Sequence, residues 1–319
     1  MRDAPFRRRS IVATRLASHR ARNWIHSALL VAGVLAIVVA AAAMLFGAAG
    51  VPWLLGVALL GWWMTPQLSH WRLLRAMGAR PLSEVEAPAL FRALRLLSRR
   101  AELYATPALF YLPDARPNAF TLGQRDGAAI VLSDGLLRMM QLDELAAILA
   151  HEVAHIRHAD LRVMSIVDAI ARTSESLGFV ALLLMVLNVP LALTGQEVVP
   201  WPGLLLLLAA PTLCAVLQLA LSRTREYAAD IEAVRLFGDT RALIRALRKL
   251  EAIHRGLLSR IFGPRRYGGE SSLLRTHPAT MERIARLEEL TERDPAHDVV
   301  ESSELGLADD ALPDLRRRR

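Results

Sequence analysis

Residues 142–158 read LDELAAILAHEVAHIRH, and the rest of the chain is interpreted outward from this stretch. Its apolar residues recur with a helical period, which predicts a helix from Leu142 through His158 and on to about Arg172. On such a helix His151 and His155 are four residues apart, so both imidazoles lie on one face and can bind one tetrahedral zinc through neutral nitrogens. Glu152 lies one residue round, placed to reach a water rather than the metal. Zinc lowers the pKa of a bound water to about 7, and a carboxylate there can take its proton. Val153 and Ala154 are apolar, as expected of a helix buried on its other side.

A catalytic zinc needs a third protein ligand and an open position. His158 is on the same helical face, but one straight helix is poorly shaped to wrap three ligands around a tetrahedral ion. The longer signature with a glycine and a third histidine fails, because His158 and Leu161 occupy those places. The better candidate comes later, in residues 222–230, which read SRTREYAAD. Glu226 and Asp230 share a helical face there. Glu226 can ligate, while Asp230 can accept a bond from the far nitrogen of a ligand histidine and fix its tautomer.

Composition supplies the setting. The chain has 319 residues, 39 Lys+Arg against 31 Asp+Glu, a net charge of +8, and 53% hydrophobic residues. The single cysteine, Cys214, excludes a disulfide framework and a cysteine-based zinc knuckle. Lys249 is the only lysine, so the basic charge is almost all arginine, and the arginines flank four apolar runs. The first, Trp24 to Phe46, carries no formal charge and reads as an anchor rather than a signal peptide. The second reaches membrane length only if Ala48 to Leu68 all count, and it carries Trp53, Trp62 and Trp63. The third is Leu177 to Leu193. The fourth is Val198 to Leu221, where Pro200, Pro202 and Pro211 are expected to trim or kink the helix.

Arginines precede the first run, follow the second and follow the fourth, while the hairpin loops Gly47–Gly50 and Thr194–Val199 contain no Lys or Arg. The positive-inside rule then puts both termini and the 69–176 segment in the cytoplasm. This division gives a basic N-terminus (1–23), a first transmembrane hairpin (24–68), a soluble part with the histidine motif (69–176), a second hairpin (177–221), a further soluble part (222–293) and a disordered tail (294–319). Glu226 lies five residues after Leu221, about 7–8 Å along a continuous helix, so the metal is expected close to the membrane surface.

Within the soluble parts, Ser83 and Glu86 form a capping-box pattern that opens a helix running to about Arg100. Ala108–Leu112, Ala119–Leu122 and Ala128–Leu132 read as short strands separated by turn signals. Ser133 or Asp134 caps a short helix to Met140. Further helices are expected over Ser222–Phe237, Thr240–Leu258 and Thr280–Leu290, with a mobile loop at Ile261–Ser272.

Taken together, these motifs resemble the HtpX-type membrane zinc metalloproteases, relatives of the CAAX prenyl endopeptidases. Pro117-Asn118-Ala119-Phe120 is similar to that family's strand motif, and His277-Pro278 with Arg283-Ile284 to its downstream element. The likeness covers roughly residues 24–290. It implies an α+β, predominantly helical fold, with a zincin-like metalloprotease domain and a small sheet built on about four transmembrane helices. It also implies one Zn2+ per chain, held by His151, His155 and Glu226, with Glu152 as the base. Asn118 and Ala119 would lie on an edge strand that pairs with extended substrate, and His277 would help stabilise the oxyanion. Arg283 is expected to order its segment by pairing with an acidic residue.

The expected activity is that of a zinc endopeptidase in the inner membrane, acting at the cytoplasmic face on membrane or misfolded proteins. Two rival readings are a prenyl-protein processing protease, usually a many-span chamber, and a non-catalytic membrane scaffold with a vestigial site. No nucleic-acid partner is expected, since no basic stretch interleaves aromatic residues.

Overall fold

The computed structural model describes residues 70–123, 127–195, 200–258 and 280–293, with scattered single positions between 32 and 56. Apart from those positions, the two N-terminal apolar runs lie outside the described residues, as do the basic N-terminus, the Ile261–Ser272 loop, His277 and the tail from Asp294. The chain divides into two compact units, one made of 68–162 with 226–319 and the other of 1–67 with 163–225.

The first unit is α+β. After α1 (His70–Ala76) come β1 (Arg80–Pro81) and α2 (Pro88–Arg100), then β2 (Ala108–Leu112), β3 (Ala119–Leu122) and β4 (Ala129–Ser133). The four strands are ordered β1-β2-β4-β3. The β2–β4 pair is parallel, and the two outer pairs are antiparallel. Alternation gives the sheet two buried faces. Leu109, Ala119, Ile130 and Leu132 join a large core with the helices, whereas Phe110, Phe120, Ala129 and Val131 form a smaller one with Leu74. Two strand limits agree with the sequence reading, β4 lies one residue later than expected, and the two-residue β1 was not anticipated.

The Ser83–Glu86 pattern forms its reciprocal bonds, with Ser83 N–H donating to Glu86 Oε2 at 2.9 Å and Glu86 N–H donating to Ser83 Oγ at 3.3 Å. The helix does not run on from it, however. Pro88 clashes with a helical conformation at the residue before it, so Ala87 is pushed out to φ −143°, ψ 61°, and α2 starts anew with proline in its first turn.

Ser133 caps α3 (Asp134–Met139), its hydroxyl accepting from Leu136 N–H at 3.2 Å. Then comes α4 (Leu142–His158), buried at every position from Glu144 to Ala154. A helix apolar on all sides must be covered on all sides, and α2 and α7 (Thr240–Leu258) supply much of that cover. Lys249 Nζ on α7 reaches Glu144 Oε2 at 2.6 Å, which gives this buried carboxylate a cation. α8 (Thr280–Arg293) lies against α7.

The expected continuation of α4 to Arg172 is corrected. The helix ends at His158, Ala159 turns left-handed at φ 54°, ψ 35°, and α5 (Asp160–Leu193) begins at once. The fourth apolar run continues past Leu221 without a break, as the placing of Glu226 along a continuous helix requires, and forms a single helix, α6 (Trp201–Phe237), with Pro211 inside it.

In the second unit, α5 and α6 are the two helices among the described residues long and apolar enough to cross a membrane. Only 17% and 28% of their most apolar windows are buried. Ala181, Leu204 and Leu207 cluster inward, while Phe179, Leu182, Leu183, Val186, Leu205 and Val216 are exposed. An apolar surface of that extent is the signature of a surface meant for lipid or protein rather than water. The helices approach closely at Gly178, where a Cβ would lie 2.7 Å from Pro211 Cγ.

Candidate active site

The buried α4 places His151 and His155 one turn apart, with their Nε2 atoms 3.1 Å from each other. From α6, Glu226 Oε2 lies 3.3 Å from His151 Nε2, and Glu226 Oε1 lies 3.7 Å from His155 Nε2. These three side chains offer ligand atoms within 4.8 Å of one another and could hold a metal ion.

The opposite ring nitrogens face carboxylates. His151 Nδ1 is 3.0 Å from Asp230 Oδ1, one helical turn beyond Glu226, and His155 Nδ1 is 2.7 Å from Asp160 Oδ2. A carboxylate at Nδ1 accepts a hydrogen bond from the ring N–H, which keeps the proton on Nδ1 and leaves a lone pair on Nε2. Two such lone pairs and a carboxylate therefore converge on one point, an arrangement that repels itself unless a cation sits among them. The donor set, two imidazoles and one carboxylate, is the type that suits a catalytic divalent ion.

The same electrostatics appear in the titration of the ligands. Burial pulls the His151 imidazole down, but the Asp230 and Glu226 carboxylates facing it outweigh that and bring it up to about 9, so positive charge is favoured at this ring, whether as a second proton or as a metal ion in its place. Burial likewise lowers His155 while the bond to Asp160 raises it, with a net upward shift. Burial works against the Asp230 carboxylate, yet Arg283 and His151 hold it at about 2. Arg283 is 2% exposed and clamps Asp230 with Nε at 2.7 Å and Nη2 at 2.6 Å, while Nη1 lies 3.3 Å from Glu226 Oε2. Arg157 on α4 reaches Glu232 of α6 at 3.0 Å, a second tie between the two helices that carry the cluster.

Glu152 is buried and accepts a hydrogen bond from Thr121 Oγ1 on β3 at 2.6 Å. Among the described residues β3 is an edge of the sheet. Ser133 N–H donates to Asn118 C=O at 2.9 Å, and Asn118 N–H donates to Ser133 Oγ at 2.7 Å. The backbone of Asn118 is thus turned toward β4. By antiparallel alternation, Ala119 and Thr121, opposite Leu132 and Ile130, turn their N–H and C=O groups away from β4.

The structure therefore brings together His151, His155, Glu226, Asp230, Arg283 and Glu152. His277 lies outside the described residues. Sequence reasoning missed two partners, Asp160 and Thr121. Asp160 follows the second histidine by five residues, off the helical repeat, and is legible only once the break at Ala159 is known. Thr121 could have been found from strand parity, since it faces the same side as the singled-out Ala119.

A buried helix carrying His-Glu-x-x-His, completed by a carboxylate from a second helix, defines a metallopeptidase. A sequence model described as Peptidase family M48 matches residues 84–291. The chain is 36% identical over 294 residues to the Protease HtpX homolog of Kineococcus radiotolerans, covering 85% of this chain and 98% of that protein. It is 31% identical over 285 residues to the Protease HtpX homolog of Burkholderia thailandensis, covering 84% and 97%. Among solved structures it is similar to S. mikatae Ste24p, with 22% identity, a TM-score of 0.40, and coverage of 83% of this chain and 66% of that one. The chain belongs to peptidase family M48 and is a metalloendopeptidase of the membrane.

Proposed function

We propose that the protein is a zinc-dependent endopeptidase that cuts membrane or misfolded proteins at the cytoplasmic face of the inner membrane, with His151, His155 and Glu226 holding one zinc ion. The convergence of two Nε2 lone pairs and a buried carboxylate carries this reading. Zinc, when bound, supplies a Lewis acid that acidifies water and polarises a peptide carbonyl. Glu152 takes the proton from the attacking water and returns it to the leaving amine. Asp230 and Asp160 hold the two imidazoles in the ligating tautomer, and Arg283 fixes Asp230. His277 donates to the oxyanion. The substrate lies extended along β3, and the outward backbone groups of Ala119 support this mode of pairing.

In this reading residues 69–176 and 222–293 form the zincin-like protease domain. The runs 24–68 and 177–221 form two hairpins of a four-span, multi-pass protein with cytoplasmic termini. The arginine distribution supports that orientation.

The test pairs zinc content with cleavage of an unfolded or membrane-protein substrate, in detergent, for wild type and Glu152→Gln. Both proteins should bind about one zinc, only wild type should cut, and a chelator should abolish cutting. Wild type that holds no zinc, or cuts as well after chelation, overturns the reading.

A further inference from the structure

Thr121 has no part in the mechanism outlined above, yet it belongs to the edge strand and donates a hydrogen bond to Glu152. Thr121 is 2% exposed and Glu152 is 3% exposed, so their 2.6 Å hydrogen bond is shielded from bulk water. A β-branched side chain on a strand has few rotamers, so the hydroxyl position follows from the strand. The strand in turn is fixed at this end. Thr121 is registered against Ile130, and two residues on the chain turns back at Gly123, with φ 86° and a Cβ position only 2.5 Å from Gly127 O. No L side chain fits there without moving backbone, so the turn sets where β3 ends.

We propose that Thr121 is the positioning residue of the catalytic carboxylate. Its hydroxyl fixes Glu152 Oε2 and leaves Oε1 as the oxygen presented to water. Its outward N–H and C=O also belong to the row, with those of Ala119, that receives the substrate backbone. One residue thereby aligns the base with respect to the peptide being cut. The inference rests on the protease reading, in which Glu152 is the base.

The bond is charge-assisted and buried, so its loss should reduce turnover about tenfold or more. Thr121→Val keeps the shape and the backbone but removes the donor, whereas Thr121→Ser restores it. The experiment measures kcat, KM and zinc content for wild type, Thr121→Val, Thr121→Ser and Glu152→Gln on one unfolded substrate in detergent. The expected result is a kcat at least tenfold lower for Thr121→Val, with KM within about twofold, about one zinc per chain, and Thr121→Ser recovering most of the wild-type kcat. Wild-type kcat in Thr121→Val overturns the proposal. So does a Thr121→Ser variant as slow as Thr121→Val, or loss of zinc with the hydroxyl. Failure of the protease reading would look different: wild type itself would not cut, or Glu152→Gln would cut equally well.

Discussion

Asp160 Oδ2 lies 2.7 Å from His155 Nδ1, and the contact exists because the chain turns left-handed at Ala159 between them. A continuous helix would have carried Asp160 round to another face. A left-handed conformation costs an ordinary L-residue about 1–2 kcal/mol. Here it ends α4, starts α5 and delivers a carboxylate to the second histidine in a single step.

Asp160→Asn keeps the shape but weakens the acceptor behind His155. Its zinc affinity is expected to fall about 10–100-fold, the usual cost of losing such a support. Competition against a graded series of chelators measures this directly; an unchanged affinity would remove Asp160 from the site.

Arg283 is the buried counter-ion of Asp230. Arg283→Met removes the guanidinium and strands that carboxylate, which should cost about 3–5 kcal/mol of stability. Arg283→Lys should rescue only in part, because an ammonium cannot make the two-pronged contact. Thermal unfolding in detergent, read with zinc content, tests both variants. A stable, fully zinc-loaded Arg283→Met would contradict the assigned role.

Glu86 predicts how stability depends on pH. Bonds from the Ser83 backbone and hydroxyl, with Arg80 close by, hold its carboxyl at about 2 against an ordinary value of 4.5. A depressed folded-state pKa contributes stability that is full above the unfolded value and is lost as pH falls from about 4.5 toward 2. Glu86→Gln should therefore unfold more easily than wild type at neutral pH, and the difference should shrink as the solution is acidified through that window. Parallel melting curves at several pH values would expose a gap that failed to narrow.

Much of this was legible in the sequence because the decisive residues are local. His151 and His155 are joined by one helical turn, and the limits of β2 and β3 follow from alternation and turn residues. Glu226 and Asp230 were legible by the same four-residue spacing. The failures came where one residue overrides a periodic pattern. Ala159 has good helix propensity, so nothing in residues 142–172 announces the break there; the contact that accompanies it is made by Asp160. At Ser83–Glu86 the capping bonds form as read, but Pro88 lies too close for the same turn to lead into a helix. For Thr121, strand parity gives the face it shares with Ala119 but not its partner, because Glu152 is 31 residues away and no spacing rule spans that distance.

If β3, an edge of the sheet among the described residues, receives the substrate as proposed, it bears on which proteins can be cut. A strand that pairs through main-chain groups reads the one feature every polypeptide shares and is largely indifferent to side-chain identity. In a folded protein those groups are already committed to its own helices and sheets. Selection at such an edge falls on whether a stretch of chain is loose enough to lie straight, so local unravelling, more than any recognition sequence, would mark a molecule for destruction.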